Sequence, residues 1–193
     1  YESGANLTVG LDYQKTINDK KYNFSLGQII NEKKKNKKMP SSSSLDKRFS
    51  DIVGSFNFKS NSFNLDYNYM IDQNYEKLNF NEMSASYDAN KIKFNLNYLE
   101  ENNSSTENEY LKTSIEVMRG ESGLFTFSNK RNLITDSSEF YDLSYEYIND
   151  CLREGIVFRR EFYNDSELES ENSLMFKITL NSFGSLNSPS FHQ

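Results

Sequence analysis

Tyr141-Asp142-Leu143-Ser144-Tyr145-Glu146-Tyr147 decides the fold. Tyr141, Leu143, Tyr145 and Tyr147 alternate with Asp142, Ser144 and Glu146, and successive side chains of a strand point to opposite faces. Such a segment has one face in an apolar environment and one in water. The same rhythm recurs in Leu7, Val9, Leu11 and Tyr13; in Ile52, Gly54, Phe56 and Phe58; in Phe63, Leu65, Tyr67 and Tyr69; and in Ile92, Phe94, Leu96 and Tyr98. The intervening residues are Asn6, Thr8 and Asp12, then Asn64, Asp66 and Asn68, then Lys93, Asn95 and Asn97, as expected of a wet interior.

Working outward from this segment, the pattern predicts about eleven strands, over roughly 5 to 16, 21 to 31, 50 to 59, 62 to 71, 76 to 87, 90 to 100, 109 to 119, 124 to 131, 138 to 148, 151 to 163 and 172 to 183. In the fifth, Leu78 and Phe80 fall out of phase with Met83, Ala85 and Tyr87, which one extra residue near Glu82 would reconcile as a β-bulge. The connectors alternate between a short set, such as Asn18-Asp19 and Asn149-Asp150, and a long set, of which 32 to 49 is the longest. Short periplasmic turns and longer extracellular loops are the habit of outer-membrane barrels. The fold expected is therefore all-β, an antiparallel transmembrane β-barrel with Asn149-Asp150 periplasmic and residues 32 to 49 outside.

Composition agrees. Only 36% of residues are hydrophobic, because half of each strand would face a polar lumen, and no run reaches the roughly 18 apolar residues of a membrane helix. Thirteen Tyr and 15 Phe against no Trp suffice for a lipid-facing band and its aromatic girdles. A net charge of -6 gives no reason to expect nucleic acid. The chain opens at Tyr1 with no initiator Met or signal peptide, and bacterial single-chain barrels close with an even strand number. Residues 1–185 are accordingly read as the C-terminal part of a larger barrel and 186–193 as a tail.

Covalent chemistry finds little support. His192 stands alone, next to last in the chain, and no phosphate loop, GxGxxG or HExxH is present. Glu167, Glu169 and Glu171 are read as solvated acids rather than a cation site, so no cofactor or metal is expected. The run Lys33, Lys34, Lys35, Lys37 and Lys38 lies in the longest outer loop, where it either contacts anionic lipid head groups or is merely solvated. Cys151 is either an inert thiol or, following a tight periplasmic turn in an oxidising compartment, the partner of an upstream cysteine.

Ser41-Ser42-Ser43-Ser44-Leu45-Asp46-Lys47-Arg48-Phe49-Ser50-Asp51-Ile52-Val53-Gly54 resembles the loop-then-strand signature of the LptD (OstA/Imp) family of lipopolysaccharide-assembly proteins. Leu26-Gly27-Gln28 is similar to the strand before that loop, and Tyr145 to Phe162 resembles the family's late hairpin with its cysteine. The resemblance implies a barrel of about 26 strands with a lateral opening between its first and last strands, an N-terminal periplasmic jellyroll, a plug lipoprotein like LptE, and a periplasmic bridge protein that supplies lipopolysaccharide. It further implies that residues 172 to 183 close the barrel, with Leu174, Phe176, Ile178 and Leu180 toward lipid and Lys177, Thr179 and Asn181 inward. Cys151 matches the family cysteine that bonds to the periplasmic domain. Family members with adjacent cysteines differ from this chain, in which Asp150 precedes Cys151. The expected function is insertion of lipopolysaccharide into the outer leaflet, with no enzymatic step. Rivals are another outer-membrane barrel such as a porin or receptor, a barrel enzyme, and a soluble adhesin.

Overall fold

The structure is a computed structural model and describes residues 5–32, 44–45, 47–102, 107–162, 170–180, 184–187 and 191–192. Among these, every regular element is a strand: β1 (Asn6–Ile17), β2 (Lys20–Asn31), β3 (Ile52–Lys59), β4 (Phe63–Ile71), β5 (Leu78–Ala89), β6 (Ile92–Asn102), β7 (Glu107–Arg119), β8 (Gly123–Asn132), β9 (Ser137–Ile148), β10 (Leu152–Glu161), β11 (Glu171–Leu180), β12 (Gly184–Asn187) and β13 (Phe191–His192). The long strands match the sequence expectation to within a few residues, so the fold is all-β and antiparallel as read.

Two compact units divide the chain, Tyr1–Ala85 with Asn97–Glu109, and Ser86–Leu96 with Tyr110–Gln193. In the first, β1 to β5 lie side by side in chain order. The register places Tyr13 across from Phe24, Phe24 across from Phe56 and Phe56 across from Tyr67, one line of aromatics on a single face. The reverse face carries Asp12, Ser25, Ser55 and Asn68 in the same manner. The Asn18-Asp19 turn has φ of 45° and 65°, the left-handed pair of a two-residue hairpin turn that suits the twist of its strands.

Side-chain partners in β5 reveal the expected phase break. Asn79 donates to Asp51, whereas Glu82 accepts from Asn68 and Ser84 donates to Asn97. The polar face is thus odd-numbered at 79 and even-numbered at 82 and 84, the change one extra residue produces. A second irregularity, which the alternation does not disclose, shifts the β8–β9 register between Lys130 and Arg131.

In the second unit β7 to β11 again follow chain order. Val117, Phe125, Tyr145, Ile156 and Phe176 form one apolar line across five strands. The connectors at 103–106 and 133–136 are shorter than read, because pairing carries β6 to Asn102, starts β7 at Glu107, and carries β8 to Asn132. The tail also differs from expectation: Gly184–Asn187 and Phe191–His192 return along β11 and pair with Lys177–Leu180 and Ser173–Leu174.

Neither unit has an apolar core among its described residues. Among these no apolar side chain is buried, and the buried polar ones are Asn31, Ser44, Ser50, Asp51, Ser144, Glu146 and Ser173. Leu7 is 60% exposed, Leu11 58% and Leu143 53%. Each such side chain left in water would forgo about 1.5–3 kcal/mol of burial. This inverts the distribution of a water-soluble domain and suits strands whose apolar side meets hydrocarbon.

Candidate functional site

The segment that carries the family signature acts as a clamp. Its polar groups fix the end of the long β2–β3 connector against β2. Asn31, 2% exposed, donates through Nδ2 to the carbonyls of Leu45 (3.1 Å) and Lys47 (2.7 Å), and its backbone N donates to the Arg48 carbonyl at 2.8 Å. Ser50 Oγ accepts from the Ile29 N–H at 2.8 Å and donates to the Asp51 carbonyl, while Ser44 Oγ accepts from the Asp51 N–H at 2.7 Å. Gln28 Nε2 donates to the Ser50 carbonyl at 3.0 Å. The serines and asparagine are there because a buried connector must find partners for its backbone groups. Lys33, Lys34, Lys35, Lys37 and Lys38 lie outside the described residues.

The polar face of the second unit is held by charge. Arg159 donates to both carboxylate oxygens of Asp142, at 2.6 and 2.7 Å, and to Glu161 at 3.3 Å. Arg153 pairs with Glu146, and Lys130 pairs with Glu139 at 2.6 Å. Such charge-assisted, bidentate bonds are among the stronger polar contacts available. Gly155 makes room for one of them, since a Cβ there would lie 2.7 Å from Glu146 Cγ and 2.9 Å from the Tyr145 carbonyl. Sequence reading placed Asp142 and Glu146 on the polar face but missed their arginine partners. Counting outward from the tight Asn149-Asp150 turn, which opposes residues 148 and 153, sets 142 against 159 and would have found one of them.

The expected closing strand is β11. Leu174, Phe176, Ile178 and Leu180 are exposed on its apolar face, between 38% and 45%, and Lys177 and Thr179 occupy the other face, half-buried. Asn181 lies outside the described residues. Cys151 is a free, exposed thiol. Asn149 Oδ1 positions it by accepting from the backbone N–H of Cys151 at 3.0 Å and of Leu152 at 2.7 Å. In the connector between β4 and β5, the Asp72 carboxylate accepts from the backbone N–H groups of Lys77, Glu76 and Asn74. The Lys77 bond outweighs an opposing effect of desolvation and, with the other two bonds and the charge of Lys47, holds its pKa below the ordinary carboxylate value. Among the described residues no group of three or more His, Cys, Asp or Glu is arranged to hold a metal.

The fold is an all-β antiparallel sheet with an exposed apolar face and a hydrogen-bonded polar face, a pattern that suits strands facing a membrane better than a water-soluble sandwich. Comparison with family models makes the class specific: residues 1–129 match the family described as LptD, LPS transport system D. The chain belongs to the LptD family, an outer-membrane family of lipopolysaccharide transport and assembly proteins that are not enzymes. No curated protein and no solved structure matches the chain.

Proposed function

We propose that this chain forms part of an outer-membrane barrel that inserts lipopolysaccharide into the outer leaflet through a lateral gate at the edge formed by β11 and the β12 and β13 segments that pair with it. The observation that carries the reading is the inverted distribution of side chains: large apolar residues stand exposed in register on most of the long strands, while among the described residues no apolar side chain is buried and the buried side chains are polar. The polar face lines the aqueous path, a plug lipoprotein fills part of the lumen, and a periplasmic bridge protein delivers the lipid. Cys151, exposed beside a short turn, bonds to an upstream cysteine in the periplasmic domain. Reduction of the full-length protein from its native membrane then changes its gel mobility, and Cys151→Ser removes the change.

The test uses adjacent residues near a short turn, Tyr13 on the apolar face and Gln14 on the polar face. With p-benzoylphenylalanine at each position in turn, in cells making lipopolysaccharide, the expected result is a lipopolysaccharide adduct at 14 and none at 13, where the neighbouring lipid is phospholipid. Adducts at 13 alone, or none at 14, would refute the polar path.

A further inference from the structure

On the polar face of the second unit the arginines are matched by acids, as Arg153 is by Glu146 and Arg159 by Asp142. Two arginines at the long-connector ends of the strands differ. Arg48 is exposed just before β3, its guanidinium 5.8 Å from the centroid of Phe49. Phe49 is 41% exposed and bridges to Ile30, which lies on the apolar face of β2 opposite Leu7. The clamp around Asn31 fixes the backbone that carries both residues. Arg160, exposed near the end of β10 and opposite Tyr141, sits 5.1 Å over the Phe162 ring, which meets Tyr141 edge-on at 5.4 Å.

Among the described residues neither arginine has a carboxylate partner; Ser170 Oγ at 3.5 Å is the one polar contact of the Arg160 guanidinium. Arg131, at the same end, is by contrast already held by Asp136 at 2.5 Å within its own connector. A guanidinium lying on an aromatic ring keeps its charge and most of its five donors, and the planar fork matches the oxygens of a phosphate. A ring in the apolar band with a cation above it is also the arrangement of an interfacial anchor, one end apolar and one end wet.

We propose that Arg48 with Phe49, and Arg160 with Phe162, seat the phosphate of anionic lipid head groups at the membrane surface. The proposal rests on the reading of the apolar face as lipid-facing, and it assigns the contact to these two built pairs rather than to the lysine run suggested by sequence. The occupant follows from charge complementarity: two exposed cations, each backed by a ring of the apolar band, and neither paired with a carboxylate among the described residues.

The test places 4-trifluoromethylphenylalanine at Phe49, Phe162 or Phe127 of the full-length protein in nanodiscs, one position at a time. Phe127, mid-strand on the apolar face and 43% exposed, reports the lipid-facing reading alone. An acyl-chain spin label should broaden the fluorine signal at 127, and a headgroup label should broaden 49 and 162 more than 127. Raising phosphatidylglycerol at the expense of phosphatidylcholine should shift the signals at 49 and 162, and Arg48→Gln and Arg160→Gln should each abolish the shift at its own ring. Broadening at 127 with no phosphatidylglycerol response at 49 and 162, or a response that survives both substitutions, overturns the headgroup seats and leaves the barrel reading standing. No broadening at 127 overturns both.

Discussion

In the first unit the polar face is joined by neutral donors, Ser25 Oγ with Ser55 Oγ at 2.7 Å and Asn57 Nδ2 to the Asp66 carboxylate at 2.9 Å, whereas in the second arginine cations donate to the carboxylates of Asp142 and Glu146. Both faces meet the same requirement, that polar groups away from bulk water find partners. The consequences diverge. A hydroxyl pair can be deleted whole at little cost, because both partners leave together; an arginine removed from a carboxylate leaves a charge behind. The second unit is thus the less forgiving of the two on its charged face, although the clamp residues Asn31, Ser44, Ser50 and Asp51 of the first are the more deeply buried.

The largest expected effect is at Arg159. Arg159→Gln should destabilise the protein in detergent by about 2–3 kcal/mol, the range for hydrogen bonds to charged groups reduced somewhat by partial solvent exposure. Asp142→Asn in the same chain should recover part of that loss. Urea unfolding of the four members of this double-mutant cycle measures it, and additive losses would contradict the pairing.

Next comes the backbone beneath the charges. Gly155→Ala should cost about 1–3 kcal/mol, since the new Cβ meets the Tyr145 carbonyl as well as Glu146. Gly54→Ala in the first unit is obstructed by the ring of Tyr69 alone, which can swing away into lipid, so it should cost less in the same assay. Equal losses would erase the contrast between a backbone wall and a ring. Smaller still, Ser25→Ala should cost about 0.5–1.5 kcal/mol, with the double change Ser25→Ala and Ser55→Ala close to neutral.

The smallest effect concerns pH at the exposed Asp72 turn. Its carboxyl is depressed in the folded state, so the order it lends residues 74–77 is present above the unfolded pKa and is lost as pH falls through the lower folded value. The amide resonances of Asn74, Glu76 and Lys77 should move together with a midpoint below that of an unperturbed aspartate, and Asp72→Ala should abolish the transition. A midpoint at or above the ordinary value would contradict the turn.

The strands were legible because a period of two writes both faces into the order of residues, as in Leu7, Val9, Leu11 and Tyr13. Even the β5 phase break could be read, from Phe80 and Met83. The β8–β9 shift could not, because Lys130 and Arg131 are both polar and give alternation nothing to break. Nor could the clamp around Asn31, whose partners lie 14 to 17 residues on. The role of Gly155 depends on Glu146 across the hairpin, a relation that becomes visible only once the register is counted from the turn. The tail was misjudged because Pro189 and the lone His192 read as an end to structure, whereas pairing on either side of that proline needs only backbone groups.

Cysteine scanning along two strands, in a Cys151→Ser background of the full-length protein in its native membrane, tests the central claim most directly. Positions 8 to 13 in β1 and 141 to 147 in β9 would each be probed with a water-soluble maleimide and, separately, with quenching by brominated lipid of a fluorophore attached there. The account predicts a sawtooth of period two, with even-numbered positions labelled from water and odd-numbered ones quenched by lipid, and slower labelling at 144 and 146 than in β1. A flat profile, or maleimide labelling of 7-, 9- and 11-type apolar positions such as 143 and 145, would contradict it.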